Sequence, residues 1–208
     1  SLFSMELKSL HKAGLNQWIL VLFSLQVLQV SFAYSQTLTA TFPSMTGELV
    51  RFETFQGIQS LTLDSVKVDT TGAFTFTFKT DKPAIGYLIT AANKPYFVIL
   101  DKNERIRLKG QHIGYPESIQ IMEGQQNQAF ANYAAQHPRR EQALSAWAYL
   151  EKIYTMDSLF ATQEVPTKAI QAEKTRIKKE DQAYLDSLNT TWYVSWYLPL
   201  RRLVSDVS

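Results

Sequence analysis

The chain predicts an α+β protein: an antiparallel β-sandwich or flattened barrel of seven to eight strands, followed by a helical region of three to four helices. Three observations predict it. Apolar residues alternate with period two from Thr37 to about Met122, the period becomes that of a helix after Glu123, and cysteine is absent throughout. Without cysteine there is no disulfide framework, so the fold must rest on a hydrophobic core. An apolar content of 45% with 12% aromatics is enough to build one.

The segment ahead of the first strand reads as an export signal. Four residues precede Met5, which opens a short stretch carrying Lys8, His11 and Lys12. An uncharged run from Leu15 to Val30 follows, and the small residues Ser31, Ala33 and Ser35 come next. A charged start, an apolar middle and a small-x-small site are what a translocase and its peptidase require. Cleavage fits after Ala33 or after Ser35, and the second, preferred, leaves Gln36 as the mature N-terminus. Gln26 and Gln29 interrupt a run already shorter than the roughly 20 apolar residues that span a bilayer. The domain plan is therefore residues 1–35 as signal peptide with its preceding residues, 36–123 as the β-sandwich and 124–208 as the helical region. The mature chain is placed in the periplasm or cell envelope, with no membrane span after cleavage and no lipobox cysteine for a lipid anchor.

Within the first half the clearest strand is Gly72-Ala-Phe-Thr-Phe-Thr-Phe-Lys79, which puts Phe74, Phe76 and Phe78 on one face. Leu61 to Val68 alternates too, and Asp69-Thr-Thr-Gly72 supplies turn residues, so the two read as a hairpin. A second hairpin reads from Tyr96–Leu100 through Asp101–Glu104 into Arg105–Lys109, with Ile106 and Leu108 inward and Arg105, Arg107 and Lys109 outward. Shorter strands are expected at 38–42, 49–55, 84–90 and 118–122.

In the second half, a helix over 125–136 carries Phe130, Tyr133 and Ala134 on one face and is expected to stop before Pro138. A longer amphipathic helix places Ala143, Trp147, Leu150, Tyr154 and then Leu159 and Phe160 on one stripe. A third starts at Pro166 and repeats Ile170, Ile177 and Tyr184 at seven-residue spacing. Its remaining positions mix acids and bases densely, the mark of a solvated face. The aromatic segment Trp192-Tyr-Val-Ser-Trp-Tyr197 follows, broken by Pro199.

Composition excludes several functions. Removing residues 1–35 takes out Lys8, Lys12 and Glu6 and brings the formal net charge from +2 to +1, with bases and acids interspersed. That pattern offers no footprint for nucleic acid. A thiol nucleophile and a Cys-x-x-Cys pair are ruled out. His112 and His137 read as exposed side chains without metal-ligand spacing, so neither a metal nor another cofactor is expected. Asp64 and Asp69 read as surface and turn residues of an edge hairpin rather than catalytic acids. No Gly-x-Ser-x-Gly elbow, phosphate loop or Rossmann glycine cluster is present, and the chain as it stands is expected not to be an enzyme. The candidate binding residues are Trp192, Tyr193, Trp196 and Tyr197, whose rings could pack in the core, grip a neighbouring domain or stack on a sugar.

The stretch Asp64-Ser-Val-Lys-Val-Asp69-Thr-Thr-Gly72-Ala-Phe74-Thr-Phe76 resembles the D-S-x-x-V-D-x-x-G-x-F-x-F segment of a β-sandwich domain of unknown function, found at the front of exported thioredoxin-like proteins of the Bacteroidota. The similarity continues through Gly86-Tyr-Leu-Ile89, Phe97–Asp101 and Glu123-Gly-Gln-Gln-Asn127, which resembles the family's G-S-x-x-N lead into the helical segment. It spans roughly residues 40–200. The resemblance implies a thioredoxin-like domain as partner, in cis or in trans, whose Cys-x-x-Cys pair exchanges disulfides outside the cytoplasm. No catalytic residue carries over, because no cysteine follows, and Ser208 stands where the redox domain would be expected to begin. The chain is then expected to be either the front of a longer protein or an accessory domain standing alone. The function expected is a non-catalytic exported accessory module that presents or orients the redox domain or its substrate. The alternative is a stand-alone module binding a glycan or another envelope polymer. N-terminal sequencing of the protein recovered from its own cell envelope should begin at Gln36; a chain retaining the Met5 segment would overturn the signal assignment.

Overall fold

The structure, a computed structural model, describes residues 36–56, 58–92, 95–102 and 104–207; the predicted signal peptide lies outside the described residues. Eight strands come first: β1 (Gln36–Thr41), β2 (Leu49–Gln56), β3 (Gln59–Lys67), β4 (Ala73–Phe78), β5 (Ala84–Ile89), β6 (Tyr96–Leu100), β7 (Ile106–Lys109) and β8 (Gln120–Glu123). Three helices follow: α1 (Gln125–Met156), α2 (Glu164–Asp186) and α3 (Tyr193–Val207). The strands form two separate four-stranded sheets, in orders β4-β1-β7-β8 and β3-β2-β5-β6. The architecture is thus a sandwich followed by helices, an α+β arrangement. All pairings are antiparallel except β1 with β7.

Alternation sets the core. Leu38, Ala40, Phe52, Phe74, Phe76, Leu88, Val98, Ile106 and Leu108 all point into one buried cluster between the sheets. Phe52 of one sheet stacks on Phe76 of the other at 5.1 Å and meets Phe78 edge-on at 5.7 Å. These ring contacts between the sheets add to the area each ring buries.

Both expected hairpins are instead corners between the sheets. β3 pairs with β2 while β4 pairs with β1, and β6 pairs with β5 while β7 pairs with β1 and β8. The turns lie where the sequence predicts them but the pairing differs, because turn chemistry fixes a reversal of direction, not the sheet that the next strand joins. At the first corner Asp69 Oδ1 accepts from Thr71 N, Thr71 Oγ1 and Ala73 N at 2.6 to 2.9 Å. Gly72 has φ +80°, and a Cβ there would stand 2.5 Å from Pro43 Cα, so that position needs glycine on both counts.

Both edges of the β3-β2-β5-β6 sheet are guarded. Between Phe52 and Glu53 the register with β3 shifts, leaving Leu63 as the extra residue of a bulge beside Asp64. A bulge and a charge discourage another strand from adding to this edge. The β6 edge is covered by a side chain: Asn127 of α1 accepts from Ile99 N at 2.8 Å and donates to Ile99 O at 2.9 Å, as a neighbouring strand would.

In the helical half, Pro138 does not end a helix. The expected first and second helices are one 32-residue helix, about 48 Å at 1.5 Å per residue. Proline removes one backbone bond, but Tyr133 and His137 before it and Arg140 after it all bind Asp181 of α2. Tertiary packing on both sides of the proline outweighs its local cost. Leu159 and Phe160 lie in the turn after α1, α2 starts at Glu164 rather than Pro166, and α3 runs through Pro199. Ile170 and Ile177 are buried as their spacing predicts, and the charged face of α2 carries exposed pairs such as Lys168–Glu164 and Arg176–Glu180. α1 and α3 pack on the outer face of β6, where Ile99 joins Ala129, Tyr133, Leu185, Val194 and Leu198 in a second core. Phe76→Ala should cost about 3–5 kcal/mol of stability in denaturant unfolding, the range for truncating a fully buried ring.

Candidate functional site

Two surfaces flank the start of α3. The first is built from alternation in the second sheet. Residues of β2 and β5 that face away from the core, Phe55 and Tyr87, meet edge-on at 5.4 Å, and Tyr87 meets Phe97 of β6 at 6.1 Å. The helical period of α3 continues the line. Tyr197 stacks on Phe97 at 5.9 Å with the rings 15° apart, Tyr193 stacks on Tyr197 at 5.3 Å, and Trp196 meets Tyr193 edge-on at 4.5 Å. The result is a run of six rings across the second sheet and α3, with both ends open: Phe55 is 54% exposed and Trp196 53%. Burial pushes the Tyr87 and Tyr193 hydroxyls up from their ordinary pKa, so both stay neutral donors at physiological pH.

The second surface is a crevice of about 610 Å³ at the joint between sandwich and helices. Its walls come from the β4–β5 loop (Asp81, Pro83), the β6–β7 turn (Asp101, Lys102, Glu104, Arg105), the N-terminus of α1, and Thr191 and Trp192 ahead of α3. The buried polar groups here form one connected network. Glu104 Oε1 accepts from Gln126 N at 3.0 Å, Asn127 N at 3.3 Å and Asn127 Nδ2 at 3.1 Å. A side chain 22 residues upstream thus takes the place of the N-cap that Gly124 cannot supply. Gly124 has φ +120°, and a Cβ on it would stand 3.0 Å from Glu104 Oε1. Gln126 donates to Asp101 Oδ2 at 2.7 Å and accepts from Val194 N at 3.3 Å, tying the β6–β7 turn to α3. Burial raises the Glu104 pKa above its ordinary value despite the bonds from Asn127 and Gln126, which pull it down, and the nearby Asp101 charge adds to the rise.

The four aromatic residues singled out by the sequence therefore divide. Tyr193, Trp196 and Tyr197 lie on the ring run, whereas Trp192 packs partly against the second core and lines the crevice. Sequence reasoning missed Phe55, Tyr87 and Phe97 as their partners, and Glu104, Asp101 and Gln126 entirely. Period-two alternation held a signal for the first three, since it faces Tyr87 and Phe97 away from the core. Nothing local marked Glu104 as buried.

The histidines are corrected as well. Their side chains are only 14% and 16% exposed, and each meets a carboxylate from a distant segment: His112 Nε2 lies 3.1 Å from Glu48, and His137 Nδ1 lies 3.0 Å from Asp181. Asp181 also receives Tyr133 Oη at 2.9 Å, Arg140 at 3.4 Å and Arg202 at 3.5 Å, so one carboxylate joins all three helices. Burial alone would raise the pKa of Asp181, but the bonds from His137 and Tyr133 and the Arg140 charge hold it below its ordinary value. Among the described residues no three His, Cys, Asp or Glu side chains converge in a way that could hold a metal ion, and no helix is long and apolar enough to cross a membrane.

Residues 37–130 match the model of DUF4369, a domain of unknown function. The DUF4369 match takes in all eight strands except Gln36, the first residue of β1, and stops at Phe130, about a turn and a half into α1. It therefore includes Glu104, Gly124 and Asn127, the residues that seat the helix on the sandwich, and leaves most of the helical half outside. No curated protein and no solved structure matches the chain.

The raised Glu104 pKa has a defined sign. A carboxyl whose folded pKa lies above its unfolded value contributes stability that is fully present below the unfolded pKa, near 4.5, and is lost as pH rises through the folded value. Glu104→Gln keeps an oxygen for the α1 amides and removes the titration. The thermal midpoint of the native protein should therefore fall relative to Glu104→Gln as pH is raised from 4 toward neutrality; parallel pH profiles would contradict the assignment.

Proposed function

We propose that the protein is a non-catalytic, exported accessory module of a thioredoxin-like thiol-disulfide oxidoreductase system, presenting or orienting the redox domain or its substrate. The observation that carries this reading is the run of six rings from Phe55 to Trp196. Its middle is packed against Phe130 and the second core, which holds the rings in place, and its two ends remain open to a partner. Rigid, amphipathic rings dock with little loss of entropy, and a pre-positioned set loses less still. Leu200, 49% exposed on α3, extends the same apolar surface. The thioredoxin-like partner comes from the resemblance around Asp64–Phe76 and Glu123–Asn127, and export from the segment at 1–35.

On this reading the redox chemistry belongs to the partner. The protein alone should show no disulfide reductase activity in an insulin turbidity assay. A purified thioredoxin-like domain from the same cells should bind it, and Trp196→Ala should weaken that binding about tenfold or more, as truncating an anchoring tryptophan does. Reductase activity of the protein alone, or binding indifferent to Trp196→Ala and Phe55→Ala together, would sink the proposal.

A further inference from the structure

We propose that the crevice at the sandwich–helix joint is a saccharide-binding site, in which a sugar ring lies against Trp192 and donates a hydroxyl to Glu104. This site is separate from the ring run and does not depend on the thioredoxin-like reading.

The argument starts from an unspent acceptor. Glu104 is 7% exposed, and its three bonds to Gln126 and Asn127 all end on Oε1. Among the described residues no group donates to Oε2, yet Glu104 lines the crevice. With Oε1 spent on α1, Oε2 is the oxygen left to accept from a ligand hydroxyl that enters the crevice.

The rest of the lining selects the donor's chemistry. Asp81, Asp101 and Glu104 outnumber Lys102 and Arg105, which disfavours phosphate and other anions. A purely apolar ligand is equally unsuited, since most side chains here are charged or amides. Acceptors, the Thr191 hydroxyl oxygen among them, stand beside donors from Lys102, Arg105 and Gln125, and Trp192 lines the same crevice. Neutral hydroxyls, each both donor and acceptor, match that mixture, and the C–H face of a sugar ring matches the indole. A volume of about 610 Å³ admits one or two sugar rings, within the usual size of ligand pockets. The site is also held firm: Asn189 Oδ1 accepts from Thr191 N and Oγ1 at 3.0 and 2.8 Å, and Gln126 locks the turn bearing Asp101 to the start of α3. A pre-formed site of this kind loses little on binding.

The test is isothermal titration calorimetry on the protein at neutral pH with maltohexaose, xylohexaose, mannohexaose and the N-acetylglucosamine hexamer. At least one should bind saturably with a Kd of about 1 mM or tighter. Trp192→Ala should weaken that binding about tenfold or more. Asp81→Asn alters an exposed side chain, and Glu104→Gln turns the free acceptor into a donor; each should weaken binding several-fold while the circular dichroism spectrum stays native. Trp147→Phe, in the α1–α2 pair, should bind as the native protein does. Absence of saturable binding by all four sugars would overturn the proposal, as would binding that survives both Asp81→Asn and Glu104→Gln unchanged. Neither result would bear on docking at Trp196, which is read with a protein partner.

Discussion

The helical half depends on one joint, the seating of Asn127 on the open edge of β6. An edge strand leaves N–H and C=O groups that need partners once a helix covers them. Here the side-chain amide of Asn127 satisfies both groups of Ile99, so α1 can lie across the edge without stranding them. The geometry admits few alternatives. Aspartate could accept but not donate, and a shorter side chain would leave both Ile99 groups unpaired in a buried setting. Glu104 secures the same turn of helix from the other side, and Gly124 supplies the backbone conformation that lets the carboxylate approach. Once α1 is seated, Ala129 and Tyr133 are carried over Ile99 and the second core can form.

A second buried carboxylate sets how far that seating extends. Asp181 gathers Tyr133, His137, Arg140 and Arg202, and through them α1, α2 and α3. Removing Asp181 would take one shared partner from His137, Arg140 and Arg202 and one acceptor from the Tyr133 hydroxyl. The same set explains why Pro138 leaves α1 unbroken. Farther along, α1 and α2 hold each other through Ile170, Ile177 and the Lys174–Glu151 pair, and several apolar side chains there, including Tyr149, Met156 and Val165, are exposed. The helical half is thus tightly fixed near the sandwich and bound only by its own pairing beyond it.

What could be read from the sequence follows from how local each signal is. The strands were legible because period-two alternation is local: Phe74, Phe76 and Phe78 announce a half-buried strand whatever its neighbours are. Sheet membership was not, because the Asp69–Gly72 turn looks the same whether the next strand pairs with the last or crosses to the other sheet. The end expected before Pro138 failed for the opposite reason. A strong local signal was overridden by Asp181, which lies 43 positions away in the sequence. The aromatic residues of α3 were legible as candidates from ring density alone. Their division into a ring run and a crevice wall was not, since it depends on Phe97 and Phe130 meeting Tyr197 but not Trp192.

The two surfaces are mechanically linked through Gln126. Its amide bonds Asp101 in the crevice wall, and its carbonyl oxygen holds Val194 N, one residue beyond Tyr193 on the ring run. The β6–β7 turn and the first turn of α3 are thus held by one side chain, and α3 is anchored further by Val194 and Leu198 in the second core. The joint therefore fixes the crevice wall and the aromatic surface relative to each other.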